Sequence, residues 1–250
     1  MKNIVIPIHF KAVDSTNMWA KKHYASLHRL QLTRITTDLQ FKGCGRFNHR
    51  WISPNEGNIY LTYVFKAPKR VKLNNLAQMF ALSVSKLLRR EGFTPTIKWP
   101  NDILINNKKV AGILCEMLDI HMYWGVILGV GINVNMQKQT LNTIDQAATS
   151  LHVEMGRDFS TKRLIYHLDF YFSQDLQLYL REGFAPFYMF YNELLTHNRR
   201  QAMTLRYNHM NIQGTFHSLD SDGYLNILLP SGKVKNVRSG VLTPVQKIIS

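Results

Sequence analysis

The stretch Lys98-Trp-Pro-Asn-Asp-Ile-Leu-Ile-Asn-Asn-Lys-Lys-Val-Ala-Gly-Ile-Leu-Cys-Glu116 decides how the chain folds. Pro100 fixes its own φ and biases Trp99 toward an extended backbone, so residues 96–99 read as a short β run that turns and delivers Asn101 and Asp102. Two apolar strands then flank Asn106-Asn107, the residue type that tolerates the positive φ of a tight hairpin turn. The return strand carries Lys109 just before Val-Ala-Gly112. Beside Ala111 and Gly112 no bulky Cβ stops the ammonium from lying along a ligand packed on the strand backbone. An ordinary hairpin with a solvated lysine near its tip is the plain alternative.

Upstream, residues 4–10 alternate as a strand, and Asp14-Ser15-Thr16-Asn17 precedes a helical stretch over 18–27. These are N-cap residue types, and the end they cap also offers polar groups to a ligand. A strand over 32–39 runs into Gln40-Phe-Lys-Gly-Cys-Gly-Arg-Phe-Asn-His-Arg-Trp51, a glycine-punctuated basic loop. Gly43 and Gly45 allow close backbone approach, while Lys42, Arg46, His49 and Arg50 supply cationic groups suited to closing over a polyphosphate. A solvated basic connector is the alternative. Residues 58–65 form a β-rich strand, and the apolar spacing over 73–91 predicts a core-facing helix.

Downstream, 123–130 is a nearly continuous apolar strand leading into Gly129-Val-Gly-Ile-Asn133-Val-Asn135. Glycines ending a buried strand imply that something packs on its backbone, and alternation puts Asn133 and Asn135 on one face, available to a base or amide ligand. A polar turn at 149–151 is followed by helices over 160–180 and 184–198. After Arg200 the pattern changes to short strands over 203–207, 212–219, 224–229 and 234–237, which suits a small β barrel with no visible catalytic constellation.

The 250 residues carry a net charge of +15, concentrated in residues 1–110, which hold 19 Lys and Arg against 5 Asp and Glu. Such a field favours nucleic acid, a nucleotide or an acidic partner. No helix-turn-helix, RNP-type aromatic motif, zinc finger, P-loop or complete Gly-x-Gly-x-x-Gly motif occurs. Cys44 and Cys115 form no disulfide framework, and no apolar run reaches the roughly 18 residues of a membrane span. A cytoplasmic protein is expected.

Taken together, Asp14 to Asn17, Gln40 with Gly43-Cys-Gly-Arg46, Lys98 to Asp102, Lys109 to Ile113 and Gly129 to Asn133 resemble the ordered motifs of the biotin protein ligases. The resemblance implies an α+β fold: a mixed sheet with flanking helices, related to class II aminoacyl-tRNA synthetases and lipoate ligases, over residues 1–200, and an SH3-like barrel over 201–250. It implies a ligase that uses ATP and Mg2+ to convert biotin to biotinoyl-5′-AMP. The biotin then passes to a lysine of the biotin carboxyl carrier protein of acetyl-CoA carboxylase. Biotin is assigned to Ser15, Thr16, Asn17, Gln40, Gly43, Cys44, Gly45, Arg46, Lys109 and Gly112. ATP falls to Arg46, His49, Arg50, Trp51, Lys109 and Asn133, and catalysis to Lys109, Arg46 and Asp102, with Asp102 receiving the carrier lysine.

Two positions depart from the family's usual loop: Cys44 stands where an arginine is common, and His49 where an arginine two residues before the tryptophan is common. With the first motif beginning at Asp14, an enzyme without a DNA-binding domain is expected, either monomer or homodimer, with no DNA or membrane partner. A lipoate ligase and a basic nucleic-acid-binding module are the competing readings. The former is disfavoured because this sequence has no Arg-Arg-x-Ser-Gly-Gly-Gly stretch.

Overall fold

The computed structural model describes residues 5–27, 32–197, 201–207 and 210–244. Residues 4 and 198, at the ends of an expected strand and helix, lie outside these. Seven strands, β1 (Val5–Val13), β2 (Leu32–Gln40), β3 (Ile59–Pro68), β4 (Thr96–Lys98), β5 (Asp102–Ile105), β6 (Lys108–Ile120) and β7 (Tyr123–Ile132), form one sheet in the order β1-β2-β3-β7-β6-β5-β4. Only β1 and β2 run parallel; every other pair is antiparallel.

Alternation sorts the two faces of this sheet. On β3 and β7 the side chains of Leu61, Tyr63, Phe65, Val126, Leu128 and Val130 enter the main core under three helices, α2 (Leu76–Arg90), α5 (Thr161–Glu182) and α6 (Ala185–Glu193). The aromatic centre of this layer is Tyr63, stacked 4.4 Å from Phe172 of α5. The Tyr63 hydroxyl donates to Asp169 at 2.6 Å, and Asp169 also pairs with Arg34. The opposite face is covered by the short α1 (Thr16–Lys22) and a 3-10 turn, Tyr24–Ser26, whose Ala20, Tyr24 and Leu27 pack on Ile35, Val64 and Ile127.

The helix expected over 18–27 therefore starts earlier and ends at Lys22. Tyr24 explains the ending, because its ring fills the space where a Cβ on Gly125 of β7 would stand. Two short helices, α3 (Lys138–Leu141) and α4 (Leu151–Met155), carry no long apolar period and were not expected; α4 is capped by Ser150 Oγ, which accepts from Val153 N at 3.2 Å.

A second, antiparallel sheet of five strands holds β8 (Ala202–Tyr207), β9 (Met210–Leu219), β10 (Leu225–Leu228), β11 (Val234–Val237) and β12 (Val241–Pro244), in the order β11-β10-β9-β8-β12. It contains the four expected strands; β12 was missed. Residues 194–196 pair along the outer edge of β4, through Ile97 N to Leu194 O at 2.7 Å and Thr196 N to Ile97 O at 2.9 Å. This brings His197 beside Lys98. No helix among the described residues is long and apolar enough to cross a membrane.

Burial, reinforced by the charge of Lys98, pushes the His197 pKa down to about 4. An unfolded histidine titrates near about 6.5, so between those values the unfolded chain binds a proton that the folded one refuses. Stability is full above the upper value and falls as pH drops toward the lower one. His197→Gln should therefore gain on wild type in Tm as pH falls from about 7 to about 4.5; parallel curves in a thermal melt series would contradict this.

Candidate functional site

The hairpin built from β5 and β6 turns through Asn106 and Asn107, both at positive φ (50° and 60°), as their residue type allows. A register shift between Ile103 and Leu104 adds a residue to β6, so that Leu104 faces Lys109 while Ile103 faces Ala111. Strict alternation would set Lys109 and Gly112 on opposite faces; the bulge puts them on the same one. The lysine's Cε and Nζ lie 3.1 and 3.3 Å from where a Gly112 Cβ would be, and its Nζ pairs with Asp102 Oδ1 at 2.8 Å.

Gly112 faces Gly131 across the β6–β7 ladder. Together they leave bare backbone on which the Trp51 indole lies: its ring is 3.0 Å from the missing Gly112 Cβ and overlaps the position of a Gly131 Cβ. Lys109 Nζ stands 5.2 Å from the centre of that ring. The Trp51 Nε1–H is buried and has no partner among the described residues. Around this stack opens a cavity of about 490 Å³, lined by Gly45, Arg46, His49, Arg50, Trp51, Asp102, Lys109 and Gly112 among others.

The remaining expected residues sit behind the cavity in a buried polar cluster. Gln40 Oε1 accepts from Thr16 N at 2.9 Å and from Thr16 Oγ1 at 3.2 Å, and Gln40 Nε2 donates to Ser53 Oγ at 3.0 Å. Thr62 Oγ1 is 2.7 Å from both Thr16 Oγ1 and Asn17 Oδ1, and Asn17 Nδ2 reaches Glu116 Oε2 at 3.2 Å. Ser15 caps α1, accepting from Met18 N at 3.5 Å. Gly43 is enclosed because a Cβ there would collide with Trp51 O and Ser53 Oγ. Cys44 forms an isolated bridge to Arg50 and does not line the cavity.

Asn133 lies below the surface at the end of β7. Its side chain is buried and donates to Thr149 O at 3.0 Å, so it anchors the segment that follows β7 instead of lining the cavity. Asn135 likewise pairs with the backbone of Phe159, at 2.9 and 3.0 Å. That anchored segment pairs with Lys109 through Lys109 N to Ala147 O and Thr149 N to Lys109 O, both 2.9 Å, and carries Thr143 to Gln146 along the cavity wall. Sequence reasoning missed this wall and the buried Ser53 and Thr62. An isolated Ser or Thr carries no periodic signal, and the wall is set by pairing distant in sequence.

Arg46 is half-buried, and burial holds its pKa below the ordinary arginine value against the opposing charge of Asp102. Its guanidinium donates to Asn101 Oδ1 at 3.1 Å, Gly240 O at 3.4 Å and Ser239 Oγ at 2.6 Å. The site thus brings Arg46, Trp51, Asp102, Lys109 and Gly112 together, beside a polar cluster that holds Ser15, Thr16, Asn17 and Gln40.

Residues 9–133 match the model of the biotin/lipoate A/B protein ligase family. The bifunctional ligase/repressor BirA of Bacillus spizizenii is 29% identical over 217 residues, covering 83% of this chain and 64% of that protein. The biotin--[acetyl-CoA-carboxylase] ligase of Paracoccus denitrificans is 28% identical over 204 residues, covering 78% and 83% respectively. The chain thus spans less than two thirds of the Bacillus relative. Among solved structures, the biotin protein ligase from Aquifex aeolicus in complex with biotin and ATP superposes with a TM-score of 0.78 at 28% identity, covering 95% of this chain and 97% of that one.

Gly131→Ala places a methyl group where the Trp51 indole rests. It should cost about 1 to 3 kcal/mol by overpacking and shift Trp51 emission to the red. The difference spectrum against a Trp51→Phe background checks this; an unmoved spectrum would contradict the contact.

Proposed function

Because the chain belongs to the biotin/lipoate A/B protein ligase family, we propose that it is an ATP-dependent biotin protein ligase. The carrying observation is one stack: Lys109 paired with Asp102 at 2.8 Å and laid over Gly112, in a cavity that Arg46 also lines. The division of labour follows the two sheets, with residues 1–200 as the catalytic unit and 201–250 as the smaller one.

In the first step the biotin carboxylate oxygen attacks the α-phosphorus of ATP, and the bond to pyrophosphate breaks. Two anions must meet while charge builds on the phosphoryl oxygens. Lys109 and Arg46, fixed before substrate arrives, stabilise that charge with little reorganisation. His49 and Arg50, on the exposed loop lining the cavity, add cations toward the polyphosphate, and Trp51 offers a ring face to the adenine. Among the described residues no group of three His, Cys, Asp or Glu side chains is disposed to hold a metal. Mg2+ in this proposal enters with the nucleotide, held by phosphates and water.

In the second step the carrier lysine's amine attacks the acyl carbon, AMP departs, and Asp102 takes the proton released from nitrogen. The acceptor is the biotin carboxyl carrier protein, by likeness to relatives named for acetyl-CoA carboxylase. No enzyme nucleophile is needed.

The buried Thr16–Gln40–Ser53 cluster favours biotin over lipoate. A ureido head offers two N–H donors and a carbonyl to such a cluster, whereas a dithiolane would leave its polar groups unanswered, a mismatch that rejects strongly.

Incubation with ATP and either biotin or lipoate should release pyrophosphate with biotin alone; release only with lipoate would overturn the assignment. Lys109→Ala should slow adenylation roughly 30- to 1,000-fold, corresponding to about 2 to 4 kcal/mol of transition-state stabilisation. A rate within threefold of wild type would remove Lys109 from the mechanism. Asp102→Asn should leave adenylate formation largely intact and slow transfer to the carrier, a split that single-turnover measurement of each half-reaction resolves.

A further inference from the structure

An arginine carries five N–H donors, and Arg46 commits three of them within the fold, at the edge of the cavity that Asn101 and Gly240 also line. Nη1 donates to Asn101 Oδ1 and Gly240 O, and Nη2 donates to Ser239 Oγ. Nε–H and one hydrogen on Nη2 take no part in these bonds, and Nε with Nη2 forms the side edge of a guanidinium, which can grip an anion bidentately.

The acceptors of that grip are themselves immobilised. Asn101 Nδ2 donates to Ile113 O at 2.6 Å, which locks the amide so that its oxygen points at Arg46. Gly240 has φ at 152° and lies against Leu205, where a Cβ would be 2.5 Å from Cδ1. The second sheet is held to the first at Gly223, whose carbonyl accepts from Gln78 Nε2 at 2.8 Å and from Trp99 Nε1 at 3.1 Å. Trp99 is separated by Pro100 alone from Asn101. One rigid turn therefore seats the second sheet and supplies one of the three acceptors on Arg46.

We propose that Ser239 and Gly240, in the connection between β11 and β12, clamp the Arg46 guanidinium, so that its free Nε/Nη2 edge is presented to the adenylate phosphate before the ligand binds. Ser239 is a positioning residue that acts through Arg46 and does not touch the substrate. The second sheet thereby becomes part of the catalytic centre, although it holds no catalytic side chain of its own. This rests on the ligase assignment for what the free edge meets, but not for the clamp itself.

Two measurements separate the clamp from that assignment. In the ligand-free full chain, trypsin cleavage after Arg46 should run about tenfold faster in Ser239→Ala than in wild type, and Ser239→Thr, which keeps the hydroxyl, should restore protection; about tenfold corresponds to one hydrogen bond to a charged group. Unchanged cleavage in Ser239→Ala overturns the clamp whether or not the protein is a ligase. With biotin and ATP, Ser239→Ala should release preformed biotinoyl-adenylate about tenfold faster at an unchanged Tm, and add nothing in an Arg46→Ala background. A wild type that forms no adenylate with biotin fails the ligase assignment, and the proteolysis result then decides the clamp alone. Additive effects of Ser239→Ala and Arg46→Ala overturn the clamp as well. Should Ser239→Ala lower the Tm, Ser239→Thr carries the comparison: a loss of protection despite its hydroxyl also counts against the clamp.

Discussion

Gly112 and Gly131 face one another across β6 and β7, and the rest of the site depends on the bare backbone they leave. A side chain at either position would occupy the space that Trp51 and Lys109 now fill. The same face of β7 continues the device, with Asn17 resting in the space of Gly129 and Tyr24 in that of Gly125. Three elements far in sequence from β7 are thereby brought against it: α1, the 3-10 turn behind it, and the loop after β2. Close approach of this kind needs glycine because no other residue lets a ring or an amide touch the backbone.

The bulge in β6 acts with these glycines. It costs the ladder one paired residue, yet it turns Lys109 onto the face of Gly112 and beside Asp102. A buried ammonium is costly unless paired, and here the carboxylate 2.8 Å away answers it. The polar cluster behind Trp51 follows the same rule. Thr16, Asn17, Gln40, Ser53 and Thr62 are linked to one another by hydrogen bonds, so this largely buried polar cluster is not left unpaired.

Part of the excess positive charge of the first half is taken up by the fold itself. Arg34 pairs with Asp169, Lys86 with Asp175 and Lys109 with Asp102, while Lys66 and Lys69 lie over the rings of Tyr123 and Trp124. A nucleic-acid surface needs its cations aligned and solvent-facing; these are spread over both layers and engaged. Of the loop after β2, Arg46, His49 and Arg50 line the cavity instead, whereas Lys42 pairs with Asp14.

Local chemistry is what the sequence by itself determined. Period-two and helical patterns placed most strands and the long helices, Asn106-Asn107 marked the hairpin turn, Ser15 and Ser160 marked helix starts, and the order of short motifs pointed to the family. Such features depend on residues near one another in the chain. Tertiary structure alone decided the rest. The β6 bulge broke the alternation on which any reading of facing side chains depends, and it put Lys109 over Gly112. The pairing of 147–149 with Lys109 brought Thr149 O to the buried Asn133 side chain, which donates to it. The docking of Gly223 on Trp99 and Gln78 carried Ser239 to Arg46, 193 residues earlier in the chain. Contacts between such distant segments leave no local period or composition to read, because their geometry exists only once both sheets have packed.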